Sequence, residues 1–343
     1  MIHTHRHRVW FALKTTLAVA VVAGVAHYFA RILGRSELGT VGFAIRLEYL
    51  LPAGVLYLVA HAFWGSFWVR LLHGQGVNVS WYVGLRAYFV SQFGKYIPGK
   101  AWVILMRVGI LRHQAHAASL PVAVTATYET LTSMAAGAFL GVLLVPYLGV
   151  LPSNLSGHTF AFVAVATLPV GLGLLNKLAS WLWARRGAPG ARPLPAPSLF
   201  LLVQGLAHGA CGHAMLGLSL GLVIRGLTAE LLPAGGGIRA DLGATAISYV
   251  TGFIFLLTPG GLGVREGALQ WLLAPRFLPT HGPEAAAGFA VVVALVLRLV
   301  WTAAEVVAAG VLYLLPVRPR TTICGGAEEP PPAPQPQPVN RPG

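Results

Sequence analysis

The sequence predicts an all-α fold: a polytopic integral membrane helical bundle that contains two broken or re-entrant helical hairpins. Three observations lead there. Hydrophobic residues fill 56% of the 343 positions, and mean hydropathy is +0.69. Charged residues hold only 10%, against about 25% in ordinary soluble domains. The apolar residues are also gathered into runs of about 20, the length that spans a hydrocarbon core, with the charges in the short gaps between them.

The first run, residues 9–30, follows the basic start MIHTHRHR. It is too long for a signal-peptide core and lacks a small-residue cleavage site, so it reads as a retained helix. His3, His5 and His7 in that start read either as a metal-binding tract or as a basic, inward-facing end. Residues 49–69, 120–148, 159–176 and 199–224 read as further spans. The run 285–315 exceeds the core by roughly half at about 1.5 Å rise per residue, so it must tilt, kink or protrude. After Pro316 the composition changes to EEPPPAPQPQPVNRPG, which cannot bury a core. Residues 1–316 are therefore one transmembrane domain, and 317–343 a disordered, proline-rich cytoplasmic tail.

The loop 149–158 holds no Lys or Arg, whereas 177–197 holds Lys177, Arg185, Arg186 and Arg192. An excess of Lys and Arg marks the cytoplasmic side, so the first loop faces out, the second faces in, and both termini are cytoplasmic. Arg31, Arg35 and Arg46 count against this orientation. The protein is expected to be a multi-pass component of the cell (inner) membrane. Its formal charge of +14 is explained by orientation and anionic headgroups, without nucleic acid as a partner. Cys211 and Cys324 form no disulfide framework or zinc pattern, and no cofactor or metal is expected.

Two stretches do not read as ordinary spans. Residues 81–112 are broken by SQFGKYIPGK (91–100), and residues 241–278 by TPGGLGVREG (258–267). Proline removes a backbone donor and glycine permits left-handed turns. Open backbone inside a bilayer survives only where it is buried in protein or lines a wet cavity. The connectors put the first break on the inner side and the second on the outer, the pattern of an inverted-repeat transporter.

Charges fall within or beside these apolar segments: Lys95, Lys100, Arg107, Glu129, Arg265, Glu266, Arg298 and Glu305. Each costs about 2.5–3.5 kcal/mol at a helix centre on insertion scales, so they should pair or face a wet cavity. Cations beside the free N–H groups of a half-helix start make an anion site. The candidate headgroup-binding residues are Lys95, Tyr96, Pro98, Gly99, Lys100 and Arg107 around the first break. Around the second they are Pro259, Gly260, Gly261, Gly263 and Arg265, with Arg298 beyond it. Glu129 and Glu266 are candidate proton carriers. Blander readings stand beside these: Lys95 and Lys100 snorkel to the interface, Arg107 anchors the cytoplasmic side, and Arg298 and Glu305 tie neighbouring helices. Arg265 and Glu266 point about 100° apart on a helix and should not pair with each other, which leaves Glu129 as a partner for Arg265.

Other motifs are set aside. The stretch from Gly94 to Lys100 matches G-x-x-x-x-G-K, but Ala101 stands where a magnesium-binding hydroxyl is needed, and no strand precedes it. Gly205, Gly209, Gly217 and Gly221, with Gly137 and Gly141, read as close helix packing. His61, His208 and His213 read as interhelical hydrogen-bonding groups, or else as proton relays.

SQFGKYIPGKAWVILMRVGIL (91–111), TPGGLGVREGAL (258–269) and VVVALVLRLVW (291–301) resemble the flippase-like family, the transmembrane region of lysylphosphatidylglycerol synthases. The likeness covers most of residues 10–316. It implies a lipid-translocation fold without the cytosolic domain that makes the aminoacylated lipid. The expected function is translocation of an anionic phospholipid or a polyprenyl-linked lipid between leaflets, with membrane lipids as partners and no enzymatic activity. The alternatives are a non-transporting partner of envelope-synthesis proteins and a membrane-embedded lipid-headgroup enzyme.

Overall fold

A computed structural model describes residues 44–97, 101–149, 197–228, 237–255 and 261–315, together with His27 and individual residues between Gly171 and Arg185. The described elements are α1 (Leu47–Gly74), α2 (Trp81–Ser91), α3 (Ala101–Ala115), α4 (Ser119–Leu144), α5 (Leu199–Leu227), α6 (Gly237–Ile254) and α7 (Val264–Leu314). Short 3₁₀ turns at Gln92–Tyr96 and Val145–Tyr147 extend α2 and α4. No strand occurs among the described residues. The runs expected at 9–30 and 159–176 lie in large part outside them, as does the tail 317–343.

Among the described residues, four helices are long and apolar enough to cross a membrane: Leu47–Gly74, Ser119–Tyr147, Leu199–Leu227 and Gly282–Leu314. Their boundaries follow local chemistry. The Ser80 side chain accepts the Val83 N–H at 3.3 Å and starts α2, and Ser198 does the same for Leu201 at 3.2 Å to start α5. The last span meets the length problem of residues 285–315 without a kink inside the run. The break falls ahead of it at Gly282, with φ 71° and ψ 171°, and leaves a helix of 33 residues.

The bundle is organised around α1 and α5, which pack along one another. Ser219 of α5 donates to the Ala53 carbonyl at 2.8 Å and accepts from the Trp301 indole of α7 at 2.8 Å, so three helices meet at one hydroxyl. The glycines of α5 do what their spacing suggests. A Cβ at Gly209 would lie 2.7 Å from Ala136 of α4, and one at Gly217 would lie 2.6 Å from the backbone of Leu242 in α6. Without interhelical hydrophobic gain in lipid, such close approach supplies the packing contact.

Both interrupted segments fold as tight hairpins. In the first, α2 and its 3₁₀ turn pack back on α3; a Cβ on Gly94 would sit 2.6 Å from the Val103 nitrogen, closer than any side chain allows. In the second, Gly261 has φ +69° and lies against the backbone of Gly252; a Cβ would fall 2.8 Å from the Gly252 carbonyl. Only glycine allows both that approach and that dihedral. The two hairpins belong to one bundle, with α7 packed on α6, α1 and α2.

Candidate functional site

The two hairpins converge on one cavity of about 330 Å³, walled by α1, α2 and its 3₁₀ turn, α3, α4, α6 and α7. Helix α5 lies behind α1 and contributes nothing to the lining. Four cations line the space: Lys95 and Arg107 from the first hairpin, Arg265 from the second and Arg298 from the last span. Three carboxylates face them.

Glu305 is buried and takes Lys95 Nζ at 2.8 Å, the Tyr96 hydroxyl at 2.8 Å and the Tyr57 hydroxyl at 3.4 Å. Arg107 and Glu129 form a pair at 2.9 Å in which both side chains are almost fully buried. The guanidinium also lies over the rings of Trp68 and Tyr88, 4.7 and 4.4 Å from their centroids. Glu266 divides its oxygens. One accepts from Arg298 at 2.7 Å, and the other accepts the Gly263 N–H at 2.7 Å, at the positive end of α7. A buried ion pair offsets its own desolvation cost only when both partners are well placed and hydrogen-bonded, and each of these three is joined by a direct hydrogen bond.

Arg265 is the exception. It makes no ion pair among the described residues, and its Nη2 is buried without a hydrogen-bond partner. Its guanidinium is held instead between two rings, 4.3 Å from the centroid of Tyr249 and 4.3 Å from that of Trp301. Among the described residues, four cations against three carboxylates leave one positive charge, and the geometry puts it there. Two aromatic faces orient a planar guanidinium and leave its Nη2 without an acceptor. An unpaired guanidinium donor in a cavity suits an oxyanion.

Among the described residues, the exposed members of the lining are apolar. Ala101 of α3 and Leu131 of α4 both line the cavity and are both exposed. Leu131 stands near the middle of its spanning helix.

The structure brings together Lys95, Tyr96, Arg107, Gly261, Arg265 and Arg298 of the expected site on the cavity wall, and Gly263 beside it through its N–H to Glu266. Pro98, Gly99, Lys100, Pro259 and Gly260 lie outside the described residues. Glu129 and Glu266 are present, but each is held by an arginine. The pairing of Arg265 with Glu129 does not occur, because Arg107 reaches Glu129 from the adjacent helix. Lys95 does not snorkel to the interface; it reaches Glu305. As the helical period required, Arg265 and Glu266 diverge.

The aromatic lining was not anticipated: Tyr57, Tyr249 and Trp301 carry no local signal. His213 does bond between helices, to the Ser133 carbonyl at 3.1 Å, while His208 bonds only within α5, to the Gln204 carbonyl at 2.7 Å. His61 makes no hydrogen bond among the described residues: both ring nitrogens are buried without a partner. A fourth charged pair, Arg276 with Asp241, sits away from the cavity lining.

The sequence model of the family described as lysylphosphatidylglycerol synthase TM region matches residues 15–304. The chain belongs to this family. No curated protein gives a significant match to it. Membership and the spanning helices make it an integral, multi-pass membrane protein tied to phospholipid metabolism or transport. The matched region contains every described helix as far as residue 304, and so nearly all of the cavity wall.

Proposed function

We propose that this member of the family moves an anionic lipid, a phospholipid or a polyprenyl-linked phosphate, between the leaflets of the inner membrane. The headgroup enters the cavity between the two hairpins and lies against Arg265, while the tails stay in the bilayer beside α3 and α4. Both termini are placed on the cytoplasmic side, and the cycle involves no covalent change to the lipid. One observation carries the reading: a half-buried guanidinium, stacked between two aromatic rings with its Nη2 unpaired, stands in a cavity with one positive charge in excess among the described residues. Such a charge is costly to keep inside a membrane, and a transient anionic ligand offsets that cost. The exposed apolar rim at Ala101 and Leu131 supports a lipid over a soluble anion.

Reconstitution tests this directly. Purified protein in vesicles should expose a fluorescent anionic phospholipid to a membrane-impermeant quencher faster than empty vesicles do, and should move a zwitterionic analogue poorly. Arg265→Lys keeps the charge but loses the planar fork, so it should slow the anionic lipid at least tenfold while folding normally. Equal rates for both lipids in the wild-type protein refute the anion site. Chemical conversion of the lipid during the assay, seen by mass spectrometry, would favour an enzyme instead.

A further inference from the structure

His61 lies near the middle of α1, is 2% exposed, lines the cavity, and has no hydrogen-bond partner on either ring nitrogen. No hydrogen bond among the described residues accounts for a polar ring at that depth. Its neighbours are aromatic: the ring centroid is 4.4 Å from Tyr57, 5.1 Å from Trp64 and 6.1 Å from Tyr88. Tyr57 in turn stacks on Trp301 at 5.1 Å, and Trp301 covers Arg265. His61 and Arg265, with the Ser133 hydroxyl, are unpartnered polar groups of one cavity, and the first two stand on either side of the Tyr57–Trp301 stack.

A neutral imidazole presents one N–H donor and one bare nitrogen acceptor. An oxyanion satisfies only the first. The bare nitrogen needs a donor from the ligand, and there are two kinds, an ammonium group or a hydroxyl. An ammonium group would enter a lining that already holds more cations than carboxylates, and like charge there is repelled. A hydroxyl meets no such penalty. The rings of Tyr57, Trp64 and Tyr88 also offer apolar faces to the carbon chain of a polyol.

We propose that His61 is a specificity-determining residue of this cavity, selecting phosphate headgroups that carry free hydroxyls, such as glycerol or glycosyl phosphates, over equally charged headgroups without them. The inference rests on the anionic-headgroup reading above and adds the chemistry of the rest of the headgroup. It also disfavours an aminoacylated, positively charged headgroup as cargo.

The test is a titration of full-length protein in detergent, followed by tryptophan fluorescence, since Trp64 and Trp301 line the cavity. The probes are the dihexanoyl forms of phosphatidylglycerol, phosphatidylmethanol and phosphatidylcholine, with glycerol 1-phosphate as the tail-free arm. Phosphatidylmethanol has the same charge as phosphatidylglycerol but no hydroxyl. Wild-type protein should bind phosphatidylglycerol roughly three- to tenfold more tightly than phosphatidylmethanol, the factor that one net hydrogen bond gives. His61→Phe should erase that advantage by weakening phosphatidylglycerol more than phosphatidylmethanol, while His61→Gln, which keeps a donor and an acceptor, should retain part of it. If His61→Phe does not fold, His61→Leu gives the same comparison.

An advantage that persists in a folded His61→Phe overturns the proposal, and so does equal weakening of both anionic probes, which marks a structural role. Equal wild-type affinity for the two anionic probes also overturns it, and leaves the anion reading standing. Phosphatidylcholine bound as tightly as phosphatidylmethanol overturns the anion reading itself. Glycerol 1-phosphate bound as tightly as phosphatidylglycerol supports the role of His61 and moves the ligand from a lipid to a soluble phosphate.

Discussion

Replacing Arg265 by methionine removes the charge assigned to ligand binding while leaving the aromatic slot between Tyr249 and Trp301 filled. The structure predicts an unusual stability result. Arg265 has no carboxylate partner, so neutralising it leaves no charge stranded. What is lost is two cation–π contacts, about 2 kcal/mol each when desolvated. What is regained is the desolvation cost of an uncompensated buried charge, several kcal/mol. The two nearly cancel, and the Arg265→Met midpoint in thermal unfolding should lie within a few degrees of wild type. Glu129→Gln is the contrast: it strands Arg107 in a site where that side chain is only 3% exposed, and breaking such a pair costs about 3–5 kcal/mol. Unfolding of both variants in the same detergent, alongside vesicle translocation, makes the comparison. Arg265→Met should keep its fold and lose anionic-lipid movement at least tenfold. If it unfolds as readily as Glu129→Gln, Arg265 is a structural tie and the excess charge has been misplaced. If it folds and transports normally, the anion site is elsewhere.

The other pair of buried charges supplies a control. Arg276 and Asp241 lie off the cavity, so Arg276→Met with Asp241→Leu should leave lipid movement unchanged and cost little stability, whereas Asp241→Leu alone should destabilise by about 3–5 kcal/mol. Gly94→Ala and Gly261→Ala each force a Cβ into backbone at under 3 Å, so each should lose about 1–3 kcal/mol or more, read as reduced yield of monodisperse protein; normal yield from both would show that the hairpins are not closed as described. On a background without Cys211 and Cys324, a cysteine at Gly282 should react with an impermeant thiol reagent from outside and one at Gly187 should not. The reverse pattern inverts the orientation of the whole bundle.

Much of the architecture was legible because a bilayer acts locally on a chain. Every stretch that crosses must be apolar and must satisfy its own backbone, so the spans at 49–69, 120–148, 199–224 and 285–315 and both Pro-Gly interruptions stand out without any knowledge of tertiary contacts. Helical period likewise settled that Arg265 and Glu266 diverge. Partner choice was not legible. Lys95 meets Glu305 across 210 residues of sequence, Arg298 meets Glu266 across 32, and no spacing rule distinguishes those partners from the others available. Arg107 takes Glu129 because the turn between α3 and α4 brings them together, and that single contact deprives Arg265 of the partner expected for it. The sequence therefore determines that buried charges exist here and near which breaks. The packing of α1, α6 and α7 decides which one is left over, since burial and pairing depend on distances between helices that composition does not encode. The same packing turns His61, on the sequence one more polar residue in an apolar run, into a ring with both nitrogens bare at the cavity wall.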